Sequence, residues 1–269
     1  RNRTSPFAFT GNKFEFRAAG SGQNVAVVNT VLNSVAADAL RRMGDQLEEL
    51  VRTGKDHLEA VEQVIRETLQ AHQRVCFSGD GYGQEWQEEA ERRGLNNLRT
   101  TPDALPAWIT PEAIELFGEL EVLSERELRA RHEIACEKYN ANIAIEGATA
   151  EHIAKTMVLP AVIAYQRRIG DAIVASMAAG LDASQLQTHS TLLGDLANLA
   201  NSIDRGCTAL STGLASASAV DNPAAGTVAY RDEVLAAQDS LRESVDAAEL
   251  IVEDRLWPLP KYHEMLAIY

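Results

Sequence analysis

The stretch Phe7-Ala8-Phe9-Thr10-Gly11-Asn12-Lys13-Phe14-Glu15-Phe16-Arg17 decides how the rest of the chain is read. Phe7 and Phe9 alternate with small residues, and Phe14 and Phe16 alternate with Lys13, Glu15 and Arg17. A period of two is the signature of extended chain, and Gly11-Asn12 between the runs are turn formers. The pattern predicts two short strands. On the second, Phe14 and Phe16 face a core, while Lys13, Glu15 and Arg17 share the opposite face. A carboxylate thus stands between two cations. A salt-bridged surface strand explains that, and so does a site for a hard divalent cation and a phosphate or carboxylate. Carboxylate oxygens suit Mg²⁺ or Mn²⁺, and guanidinium suits the anions. Arg1-Asn2-Arg3 lies a short link upstream and adds cations.

Beyond the glycine-containing loop at 18–23, nearly everything reads as helix. An apolar helical stretch runs from about Val25 to Leu50. Asp56 is placed as the cap of a helix to about Gln73, with Leu58, Val61, Val64, Ile65 and Leu69 at helical spacing. Val75 to Phe77 is expected to be extended. Gly79, Gly81 and Gly83 form a loop before a charged helix at about Glu85 to Arg93. Thr110-Pro111-Glu112 starts another helix, with the hydroxyl as cap and proline in the first turn. Ser124 and Glu127 form a capping box for a helix to about Ile145. A further helix reaches about Met177 and stops before Gly180, and Pro160 predicts a kink in it. Helices are expected at Ala183 to Ser211 and Thr227 to Arg255, joined by a small, polar linker at Leu214 to Gly226.

Composition narrows the function classes. The 269 residues are 45% hydrophobic and 24% charged, as in an ordinary globular protein, and the net charge of −14 opposes binding to nucleic acid or anionic lipid. The cysteines Cys76, Cys136 and Cys207 form no CxxC pair and read as buried or partly buried thiols in a reducing cytoplasm. No apolar run reaches the roughly 18 residues of a membrane span, and no signal peptide is visible. The chain opens at Arg1 inside a dense motif, which predicts that it is part of something longer.

Asn2-Arg3-Thr4, then Lys13-Phe-Glu-Phe-Arg17, then Asn24-Val25 at a helix start resemble the ordered motifs of glutamine synthetases. Those enzymes carry Asn-Arg-Ser-Ala, then an (Arg/Lys)-x-Glu-x-Arg strand, then an Asn-Pro helix start. The run from Arg1 to Arg17 is closest to the type III class. Gly79-Asp-Gly-Tyr82 with Glu85-Trp86, Thr100 to Leu105, and Trp257 to Leu266 also resemble it, so the similarity spans the chain. The resemblance implies the fold as well: a mainly α chain, a helical bundle region following the last short strands of an α/β catalytic domain. Residues 1–140 would close that domain, and 141–269 would form a helical extension.

By the same resemblance, Glu15 is a ligand of an active-site Mg²⁺ or Mn²⁺. Arg3 and Arg17 are catalytic and face glutamate or the transferring phosphoryl group. Lys13, Arg17 and Asn24 are the substrate- and nucleotide-binding positions. Two positions depart from the commoner classes: Ala8 stands where they place another phosphate-binding arginine, and Val25 replaces the proline after Asn24. The implied activity is a cytoplasmic ATP-dependent glutamate–ammonia ligase assembled as hexameric rings, stacked as a dodecamer, with this chain inactive alone. The rival class is a non-catalytic helical interaction or oligomerisation module.

Other constellations carry less. His189, Ser190 and Asp195 share one helical stretch without a nucleophile elbow. Gly79-x-Gly-x-Gly83 lacks the GK(S/T) ending of a phosphate loop. His132 and His152 lack ligand spacing, and Glu133, Glu137 and Glu146 read as solvated helix faces. The alanines at 172, 175, 178 and 179 suggest close helix–helix approach.

Overall fold

The computed structural model describes residues 7–9, 14–16, 24–77, 80, 81 and 83–266. Strands β1 (Phe7–Phe9) and β2 (Phe14–Phe16) pair antiparallel, with Phe7 opposite Phe16, Ala8 opposite Glu15 and Phe9 opposite Phe14. Every other regular element among the described residues is helical, so the chain is mainly α, as its periodicity predicts. No described helix is long and apolar enough to cross a membrane. The chain divides into two compact units, residues 1–132 and 133–269.

In the first unit, α1 (Val25–Arg52) and α2 (His57–Ala71) pack as a hairpin. The Asp56 carboxylate accepts the Leu58 amide at 2.9 Å and caps α2 as its position predicts. Ala60 and Val64 bury the inner face of α2. A 3₁₀ turn at Gln73–Val75 follows, so the extended piece expected at Val75 begins one residue later. Next come α3 (Gln84–Arg92), α4 (Thr101–Ala104), a 3₁₀ turn at Leu105–Ile109 and α5 (Pro111–Glu119). Thr110 Oγ accepts the Ala113 amide at 3.2 Å. Arg41 of α1 pairs with Glu119 of α5 and with Asp38 one turn back on its own helix.

The division between units falls within α6 (Glu125–Ile153). Its start is the expected capping box: Glu127 accepts the Ser124 amide at 2.8 Å, and Ser124 Oγ accepts the Glu127 amide at 3.3 Å. The helix does not stop near Ile145. It runs on through a π-helical turn at Ala154–Val158 into α7 (Leu159–Ala178). Pro160 explains the turn: proline has no amide to give and its ring crowds the carbonyl four residues back. Widening the helix just ahead accommodates both without breaking the rod.

In the second unit this rod is followed by α8 (Gln187–Ser218) and by a third rod: α9 (Pro223–Ala229), a π-helical turn at Tyr230–Leu235, and α10 (Ala236–Glu249). The first and third rods run parallel, since Asn140 meets Pro223, Gly147 meets Val234 and Arg168 pairs with Glu253, and α8 runs antiparallel to the third, with Gly206 against Leu241 and Gly213 against Glu233. Leu196, Ile203, Cys207, Leu210 and Ala217 of α8 are buried at three-, four- and seven-residue spacing against both neighbours. A fully buried Leu or Ile contributes about 1.5–3 kcal/mol. Trp257 and Val252 close one end, and the short α11 (Tyr262–Leu266) ends the described chain.

Two expectations fail here. The Leu214–Gly226 linker is largely helix, since α8 continues to Ser218 and α9 starts at Pro223. Small residues there serve packing: a Cβ on Gly213 would stand 3.1 Å from the Glu233 carbonyl oxygen, and one on Gly226 2.7 Å from Asn140 Nδ2. The alanines at 175, 178 and 179 are exposed, and these glycines make the close approaches instead. Asn140 also donates to the Pro223 carbonyl at 2.9 Å, tying α6 to the start of α9. Gly226→Ala is therefore expected to cost about 1–3 kcal/mol of unfolding free energy, the scale of core overpacking. Gly44→Ala, in open space on α1, is expected to be neutral or stabilising by up to about 1 kcal/mol. Urea unfolding of the two variants checks this.

Candidate active site

Two of the candidate residues, Glu15 and Asn24, are among those described, in β2 and at the start of α1. Glu15 is the centre of β2, in register with Ala8. Arg3, Lys13 and Arg17 lie outside the described residues. Asn24 is described: it is the N-cap of α1, with extended backbone (φ −83°, ψ 131°) and its Oδ1 accepting the Ala26 amide at 2.7 Å. Thr30 on the next turn donates to the Ala26 carbonyl at 2.9 Å. Val25 in place of proline leaves the helix start intact: the cap acts on the Ala26 amide, which does not depend on whether residue 25 carries an amide of its own. Beside this turn lies a shallow cavity of about 260 Å³, lined by Ala26, Val27, Thr30, Trp108, Leu123 and Arg131 among others.

α1 leaves most of its surface open. Its single buried residue is Ser34, while Val25, Val27, Val35, Leu40 and Val51 are exposed. Helices with so many apolar positions are normally covered.

The glycine-rich segment is flanked by an arrangement that sequence reading did not anticipate. Phe77 stacks on Trp86 of α3 with ring centroids 4.3 Å apart, and the Arg93 guanidinium sits 5.7 Å from the Trp86 ring centre. Arg93 Nη1 donates to the carbonyls of Cys76 (2.8 Å) and Arg74 (3.1 Å), and its Nε meets Glu89 at 2.5 Å. These contacts fasten residues 74–77 to α3. Glu89, Trp86 and Arg93 at four- and seven-residue spacing were the available signal. Hydrogen bonds from Arg92, and then from Arg93, hold the Glu89 carboxyl down to about 2.

Ser190 Oγ donates to the Leu186 carbonyl at 3.2 Å within its own helix, and Glu133, Glu137 and Glu146 are exposed. Among the described residues no three His, Cys, Asp or Glu side chains gather as a metal cluster. Burial pushes the Cys136 and Cys207 thiols up, away from thiolate reactivity, whereas Cys76 is exposed rather than buried.

Residues 60–177 match the glutamine synthetase C-terminal domain. The type-3 glutamine synthetase of Dictyostelium discoideum is 38% identical over 272 residues, covering 99% of this chain and 36% of its own length. A glutamine synthetase of Bacteroides fragilis is 32% identical over 274 residues, 99% of this chain and 37% of its own. One from Butyrivibrio fibrisolvens is 33% identical over 291 residues, with the same coverage of 99% and 37%. The chain belongs to the glutamine synthetase family. It corresponds to the C-terminal part of a type III member and spans a little over a third of the length of the curated relatives it matches.

The depressed Glu89 carboxyl has a readable pH consequence. Its folded value lies below the ordinary 4.5, so its stabilising contribution is complete above about 4.5 and is lost as pH falls through about 2. Glu89→Gln should lower the urea midpoint at pH 6, and the difference from the parent should close as pH approaches 2.

Proposed function

We propose that this chain is part of an ATP-dependent glutamate–ammonia ligase that forms glutamine through a γ-glutamyl phosphate. The observation that carries the reading is the motif order: Asn2-Arg3, Lys13 to Arg17, and Asn24 as the cap of α1, in a chain similar over 99% of its length to proteins named glutamine synthetases.

Glu15 has the right donor chemistry for a hard divalent cation, and one carboxylate provides at most two of the six or more oxygens such an ion takes. The remaining ligands belong to the larger part of the protein. Mg²⁺ or Mn²⁺, when bound, supplies charge neutralisation for the transferring phosphoryl group. Arg3 and Arg17 hold the anionic groups, glutamate or phosphoryl, in the forked geometry that guanidinium gives. Lys13 meets nucleotide phosphate as a point charge. Asn24 caps α1 through the Ala26 amide and so fixes where that helix begins. Positioning and electrostatics lower the barrier, without a covalent enzyme intermediate.

On this reading residues 1–140 close the catalytic domain and 141–269 form a helical extension, in keeping with a second-unit core cluster that starts at Ile143. The protein is cytoplasmic and assembles from hexameric rings into a dodecamer. The exposed Ile145, Ile163 and Val174 offer contact points on the extension.

In the full-length enzyme, Glu15→Ala is expected to reduce glutamine formation by about 100-fold or more and to weaken its dependence on Mn²⁺, on the scale of losing one preorganised charge contact. Unchanged activity and metal dependence would favour the non-catalytic helical module instead. The isolated 269-residue chain is expected to form no glutamine.

A further inference from the structure

Helix α2 carries two apolar faces. Ala60 and Val64 are buried against its neighbours. Leu58, Ile65 and Leu69 fall within about 40° of one another at about 100° per residue, on a line about 120° round the helix from Ala60, Val64 and Thr68. They are 72%, 54% and 64% exposed. Val75, just beyond the helix, is exposed as well. Isolated exposed leucines are ordinary, but three large aliphatics aligned along one helical face mark a surface that something covers.

We propose that the Leu58–Ile65–Leu69 face is the docking surface for the remainder of this same polypeptide, the larger part that the curated relatives possess and this chain does not span. Two observations select that occupant over a second copy of the chain. The relatives are 36–37% covered, so close to two thirds of their length lies outside, enough for a domain with its own complementary surface. Two such faces from two copies, packed on each other, would also set Glu62, about 20° round α2 from Leu69, against its like. α1, in the same hairpin and equally short of cover, extends the surface toward the candidate site. The inference rests on the chain's place in a longer enzyme and not on the chemistry of Glu15, so activity and docking can fail independently.

The test uses the full-length enzyme with Ile65→Cys, a maleimide probe, and mass spectrometry to follow label on the peptide containing residue 65. The same protein in 8 M urea gives the unprotected rate. We expect labelling at least tenfold slower in the native enzyme, and equally slow in protomers separated by dilution. Labelling as fast as in urea overturns the proposal. Protection that vanishes on dissociation also overturns it, in favour of a second copy. Should Ile65→Cys fail to fold, Leu69→Cys reads the same face.

Discussion

Burial along α8 is the constraint on which the second unit depends. A helix of 32 residues lying between two rods that both run against its direction must be apolar on both facing sides and slim where the rods come closest. Leu196, Ile203 and Leu210 supply the first, and Gly213 the second, where a Cβ would come within 3.1 Å of the Glu233 carbonyl oxygen. The π-helical turns belong to the same solution. One lets Pro160 sit in an unbroken rod, and the other keeps Tyr230 and Val234 in the core before the stripe resumes at Leu241 and Ala248.

The first unit is built on different terms. Its helices are well capped by Asn24, Asp56, Thr100 and Thr110, and cross-tied by Arg41 and Arg93. Caps contribute about 1 kcal/mol each, and exposed ion pairs less. Neither replaces core. Ala60, Val64, Ala90, Phe117 and Leu128 are its buried apolar residues among those described, while the long α1 contributes only a serine. The first unit is thus rich in local signals and poor in burial. Asn24, the described member of the candidate site that caps a helix, stands at the start of that same open α1.

Local rules were therefore legible. The strand pair, the Asn24 and Asp56 caps, the Thr110-Pro111 start and the Ser124–Glu127 box each depend on a few neighbouring residues. What escaped depended on distant partners. Residues 214–226 read as linker because the segment is small, polar and holds Pro223 and Gly226, yet Ala217 is buried in the core and Pro223 opens α9 in its first turn. The helix expected to end near Ile145 instead runs on to Ile153, and Pro160 is absorbed by a π turn that carries the rod into α7. At the site, the residue types of Lys13, Glu15 and Arg17 were readable from alternation, whereas their roles came from family resemblance, since one strand cannot display ligands that other strands bring.

Amide hydrogen exchange, compared between the isolated 269-residue chain and the full-length enzyme, tests most directly the claim that the two units differ in self-sufficiency. The account predicts that amides of residues 196–210 exchange slowly in both, while those of α1 exchange rapidly in the isolated chain and become protected in the full-length protein. Equal and strong protection of α1 and α8 in the isolated chain would contradict it.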